Sequence, residues 1–151
     1  MTIKNAKLLE GLLSSEQSKK LDLGAGMHQR NARIHFKILE VGPDFITVQV
    51  VQTKSPAENY LSAKDLADRA KDLFGRFFPD RKIHARPSEY VPPSVDHVTP
   101  EWLKKKLEIK GMGQVEVVTM TGISKSNSSS WLSGSRPMTQ IAKSMFYFIL
   151  K

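Results

Sequence analysis

The chain has 151 residues, enough for one good core or two small ones joined by a linker. It carries 23 basic and 15 acidic side chains, a formal charge of +8, with 40% apolar residues, which fits a globular protein rather than a disordered one. There is no cysteine, which excludes disulfides and cysteine-ligated zinc and makes a reducing compartment the expectation.

No apolar window approaches the roughly 20 residues of a membrane span. No apolar core follows a basic start near Met1, so no secretory signal is expected. The reading is a cytoplasmic protein with no membrane contact. Residues 101–151 hold a net charge of +5 and the first 100 residues only +3. A basic surface attracts any polyanion; it fits nucleic acid without identifying it, and fits an ordinary basic protein equally well.

In chain order, Ile3, Ala6, Leu9 and Leu13 have the spacing of an amphipathic helix over 3–20, and Gly24-Ala25-Gly26 reads as a connector after it. Ile34, Phe36 and Ile38 alternate over Arg33–Val41, as do Ile46, Val48 and Val50 over Phe45–Gln52. Gly42-Pro43-Asp44 between these runs predicts a β-hairpin. A helix is expected from Ser62, with Asp65 placed for a capping box. Leu66, Ala70, Leu73, Phe74 and Phe77 lie on one of its faces, and Pro79 closes it. Arg81–Arg86 alternates again, giving a β-β-α-β unit. Pro87, Pro92, Pro93 and Pro100 mark a linker.

The rest reads as short helices. Thr99 caps the first, with Pro100 at its first position. Gln114–Thr121 is the second, with Val117, Val118 and Met120 available for burial. Gly122 turns the chain, Ser124 caps Lys125–Ser133, and Gly134 ends it. Met138–Leu150 is the last, with Ile141, Ala142, Met145, Phe146 and Ile149 as its buried stripe. The predicted architecture is α+β: 1–29 a helix and connector, 30–90 the β-β-α-β unit, 91–98 the linker, and 99–151 an all-α domain.

Over those last 50 or so residues, Gln114, Gly122-Ile123-Ser124, Trp131-Leu132-Ser133-Gly134 and Arg136-Pro137 resemble the lambda-repressor-like (Xre or Cro type) helix-turn-helix family. The resemblance implies a cytoplasmic, sequence-specific double-stranded DNA-binding protein, a transcriptional regulator that works as a homodimer. It implies that Lys125, Ser126, Ser129 and Ser130 read bases, and that Gln114, Asn127, Ser133 and Arg136 hold phosphates. Two positions depart from the family pattern: Val118 replaces a small residue, and Ser128 replaces an apolar one. A buried serine can bond back to the carbonyl four residues earlier, but it loses apolar packing worth ~1–2 kcal/mol. The apolar Phe146–Leu150 run, or the N-terminal unit, is the expected dimer seam.

An enzyme is not expected. His28, His35, His84 and His97 lack metal-ligand spacing, and no phosphate loop, nucleophile elbow or acidic pair occurs, so neither metal nor cofactor is predicted. Two rivals stand beside the regulator. One is RNA or single-strand binding by the basic-aromatic segment 76–86, where Phe78 is the ring left to stack. The other is a protein–protein module that has lost DNA binding.

Overall fold

A computed structural model describes all 151 residues. The fold is α+β and divides into two compact units, Met1–Val91 and Pro92–Lys151.

The first unit begins with a 3₁₀ turn, Ala6–Leu9, followed by helix α1 (Ser15–Ala32). The helix expected over 3–20 is therefore displaced, for two local reasons. Gly11 takes a left-handed φ of 79° that breaks the chain after the 3₁₀ turn. Ser14 then starts a new helix with a full capping box: its hydroxyl accepts from Gln17 N at 3.1 Å, and Gln17 Oε1 accepts from Ser14 N at 3.0 Å.

The Gly24-Ala25-Gly26 connector is a correction, since all three residues lie inside α1. The glycines there serve packing. A Cβ on Gly24 would stand 2.7 Å from Leu73 Cδ1, and Gly26 is buried. Helix propensity disfavours glycine by about 1 kcal/mol, and close packing overrides it.

Strands β1 (Ile34–Val41) and β2 (Phe45–Gln52) form the expected antiparallel hairpin, in register from Ile34↔Gln52 to Val41↔Ile46, with an irregularity between Ile38 and Glu40. Helix α2 (Ala63–Gly75) starts at Ser62, whose hydroxyl accepts from Asp65 N. The reciprocal half of the expected box does not form; Glu89 Oε1 instead accepts from the next N–H, that of Ala63, at 2.6 Å. Strand β3 (Lys82–Ser88) returns parallel to β2, so the sheet is mixed, in the order β1-β2-β3. Pro87 sits at its outer edge, where a missing N–H does least harm. Ile34, Phe36, Ile38, Ile46, Val48, Val50 and Ile83 point inward and form one core with α1 and α2.

The second unit holds a 3₁₀ turn (Ser94–His97) within the predicted linker, then four helices: α3 (Pro100–Ile109), α4 (Gln114–Thr121), α5 (Lys125–Ser133) and α6 (Gln140–Leu150). The expected cap at Thr99 forms, and Thr139 adds an unexpected one. Thr99 Oγ1 accepts from Trp102 N, and Thr139 Oγ1 accepts from Ala142 N, so α6 starts two residues later than predicted. Leu103, Leu107, Val117, Trp131, Phe146 and Leu150 are central to its core. Ala142 and Phe146 are buried as predicted, with Leu150 beside them, but Ile141, also predicted buried, is 84% exposed and Ile149 is 37% exposed. Met120 is likewise exposed, leaving Val117 as the buried residue of α4.

No helix is long and apolar enough to cross a membrane.

Candidate nucleic-acid interface

The α4–α5 pair is positioned by its turn. Gly122 adopts φ 69°, a left-handed conformation that costs a side-chain-bearing residue roughly 1–2 kcal/mol, and its N–H closes α4 onto Val118 O. Ser124 then reverses direction and caps α5, its hydroxyl accepting from Asn127 N at 3.2 Å. Glu116 Oε2 accepts from Gly113 N at 2.8 Å and holds the start of α4. Gln114 spans the two helix starts, its Nε2 donating to Lys125 O at 3.1 Å.

At about 100° per residue, Lys125, Ser126, Ser129 and Ser133 fall within an arc of roughly 100° on α5, with Ser130 at its border. Lys125, Ser126, Ser129 and Ser133 are exposed, and Ser130 is half-buried. Ser128 and Trp131 on the other side face the core, and Leu132, half-buried beside Lys125 at the edge of the open arc, packs against it as well. So four of the residues assigned to DNA share one open face, as a helix entering a groove requires.

The remaining assigned residues have internal partners. Asn127 is half-buried, and its Oδ1 accepts from Arg136 Nη2. The Arg136 guanidinium also lies 5.9 Å from the centre of the Trp131 ring. Ser133 Oγ donates to Ser130 O at 3.2 Å and accepts from Ser135 N at 3.3 Å. Arg136 is thereby fixed beside α5 with donors to spare, which lowers the entropy cost of a phosphate contact. No spacing rule announces the Asn127–Arg136 or Gln114–Lys125 contacts; both depend on how the turn folds.

Ser128 does not use the back-bond open to a buried serine. It is 1% exposed, yet its hydroxyl has no hydrogen-bond partner, so no bond to the carbonyl four residues back forms. Trp131 Nε1 is also buried without a partner. Each such group costs about 1–3 kcal/mol. Thr121 shows the alternative, its hydroxyl donating to Val117 O at 2.6 Å.

The electrostatics favour an anion. No acidic residue occurs after Glu116, while Lys125, Arg136, Lys143 and Lys151 do. The one ion pair of the chain, Lys20–Glu16, lies in the first unit, so these four cations are unpaired.

The rival segment 76–86 loses its stacking ring. Phe78 is 2% exposed within the first core, and Phe77 packs against the same cluster. Lys82, His84 and Arg86 do share the outward side of β3. No group of three metal-ligating side chains comes together. Burial, then Arg69 and Arg76, holds His28 below the ordinary imidazole range; burial, then Lys4 and Arg33, does the same for His35.

No protein-family model matches the chain, and comparisons with curated proteins and with solved structures return no match.

Proposed function

We propose that this chain binds double-stranded DNA through α5, with Lys125, Ser126, Ser129 and Ser130 toward base edges and with Gln114, Ser133 and Arg136 toward phosphates. It is a sequence-specific regulator of transcription, as the lambda-repressor-like residue pattern of Gln114–Pro137 implies, and it has no catalytic role. The observation that carries this reading is the exposed polar face of α5, capped at Ser124 and delivered by the Gly122 turn, with no acidic residue after Glu116. With one charge and several hydroxyls, that face discriminates bases weakly, and phosphate contacts supply much of the affinity.

Selection of bound duplexes from a random pool tests the reading. An enriched motif whose base preference changes with Lys125→Ala and Ser129→Ala supports it. Gln114→Ala should weaken all sequences alike and lower the salt slope by about one contact. A folded protein that enriches nothing and binds no duplex at low salt refutes it.

The chain acts as a homodimer through α6 in this reading. Ile141 and Phe148, two turns apart, are 84% and 69% exposed, an apolar surface that a partner copy would cover. Sedimentation of Ile141→Asp/Phe148→Asp against the parent checks this; equal mass for both contradicts it.

A further inference from the structure

The sheet of the first unit buries one face only. Its inward residues belong to a single core with α1 and α2, and none of its outward residues joins that core. Register places the outward residues in rows. Lys4 bridges Lys37 in parallel: Lys4 N donates to Phe36 O at 3.1 Å, and Lys4 O accepts from Ile38 N at 3.0 Å. Lys37 pairs with Gln49, and Gln49 pairs with Arg86. One line of Lys4, Lys37, Gln49 and Arg86 therefore crosses the whole sheet, spanning roughly 14 Å at about 4.8 Å per strand.

Lys82 lies further along β3 on the same side, and Glu40 is the single carboxylate that register places on this face. None of these four cations has an ion-pair partner. Four unpaired cations on an open, mostly polar face cost electrostatic repulsion unless an anion covers them. The anion must be extended, because the charges form a line rather than a pocket.

We propose that the outward sheet face, along the Lys4–Lys37–Gln49–Arg86 line with Lys82 beside it, grips the phosphate backbone of duplex DNA without reading its bases. A single strand would need rings on which bases stack. The rings on this face are Phe45, half-buried and set edge-on to His84 at 5.6 Å, and the half-buried imidazole of His35; none of them is an open tyrosine, tryptophan or phenylalanine face. Lysine, arginine and glutamine side chains without a stacking platform suit backbone contacts. This extends the duplex-binding reading of α5, and rests on it only for the choice of duplex over single strand.

The test uses the full chain in four forms: parent, Gln114→Ala/Lys125→Ala, Lys4→Gln/Lys37→Gln/Arg86→Gln, and the combination. Each is titrated by fluorescence anisotropy against a labelled random-sequence duplex and a labelled single strand. Losing three phosphate contacts should reduce the salt slope by about 2.7, so the affinity lost between about 50 and about 200 mM salt shrinks about 40-fold. The α5 form should keep this component and the combined form should lose it. Lys4→Arg/Lys37→Arg/Arg86→Lys, which keeps the charge, should bind like the parent. If the triple glutamine form fails to fold by circular dichroism, Lys82→Gln/Arg86→Gln on the exposed side of β3 should still give about a 12-fold change. An unchanged slope in a folded sheet variant overturns the proposal, and so does a loss confined to the single strand. An α5 form that binds like the parent refutes the α5 reading instead and leaves the sheet result interpretable.

Discussion

The two units use their apolar residues in different ways. Met1–Val91 gathers sixteen buried apolar side chains into one cluster, many from strands whose alternate residues face two helices. Pro92–Lys151 gathers eight, and leaves Ile109, Val115, Ile141 and Phe148 more than two-thirds exposed. A period of two sorts a strand cleanly into a dry face and a wet one. Helices of eight to eleven residues have too little shared interface to hide everything apolar they carry. The first unit thus has an open polar sheet face and keeps exposed apolar residues such as Leu8, Leu23 and Met27 on its N-terminal turn and α1, while the second has them on α3, α4 and α6.

The sharpest way to break this comparison is to remove one buried ring from each core. Phe74→Ala and Phe146→Ala should each cost roughly 3–5 kcal/mol. The smaller second core has less stability to lose, so Phe146→Ala should unfold its unit at room temperature, whereas Phe74→Ala lowers a midpoint. Both tryptophans, Trp102 and Trp131, lie in the second unit, so their emission reads it directly. Native-like emission from Phe146→Ala would contradict the ranking.

A smaller effect is expected at the turn. Gly122→Ala places a Cβ on a left-handed residue and should cost about 1 kcal/mol, seen as a lower urea midpoint by tryptophan emission and as weaker duplex binding. Ser128→Ala should move the other way. It removes a buried hydroxyl that has no partner and should stabilise the second unit by about 1 kcal/mol. A loss of stability would mean that this hydroxyl is bonded.

The mildest contrast is with pH. His28 and His35 in the first unit are held below their ordinary value of 6.5, chiefly by burial. Below about pH 6.5 the unfolded chain takes up protons that the folded unit does not, so stability is full above that value and falls as the pH drops through it. Amide exchange at Ile38 and Val48 should quicken on acidification, and His28→Gln should weaken that response. A response identical to the parent's would show that His28 does not contribute.

Much of this was legible in the sequence because the signals were local. Alternation gave the hairpin, and Thr99, Gly122, Ser124 and Gly134 gave helix boundaries that hold to within a residue. The failures came where tertiary packing overrules propensity. Gly24 and Gly26 read as a break until Leu73 is seen to need the space, and Ser62 shares its helix start with Glu89, distant in sequence. Ile141 and Ala142 are adjacent, so choosing which faces inward depends on the rotation of α6, which a stripe of apolar residues leaves ambiguous. At the candidate interface the exposed residues of α5 followed from the family pattern. The Asn127–Arg136 and Gln114–Lys125 contacts, and the line from Lys4 to Arg86, needed the fold and its register.

The central claim is that α5 presents its hydroxyl-lined face to a DNA duplex. Amide chemical-shift mapping of the full chain, titrated with a selected duplex, tests it most directly. The account predicts the largest shifts at Lys125, Ser126, Ser129 and Ser130, with Gln114 and Arg136 following. Saturation with the duplex while those amides stay unmoved would contradict it.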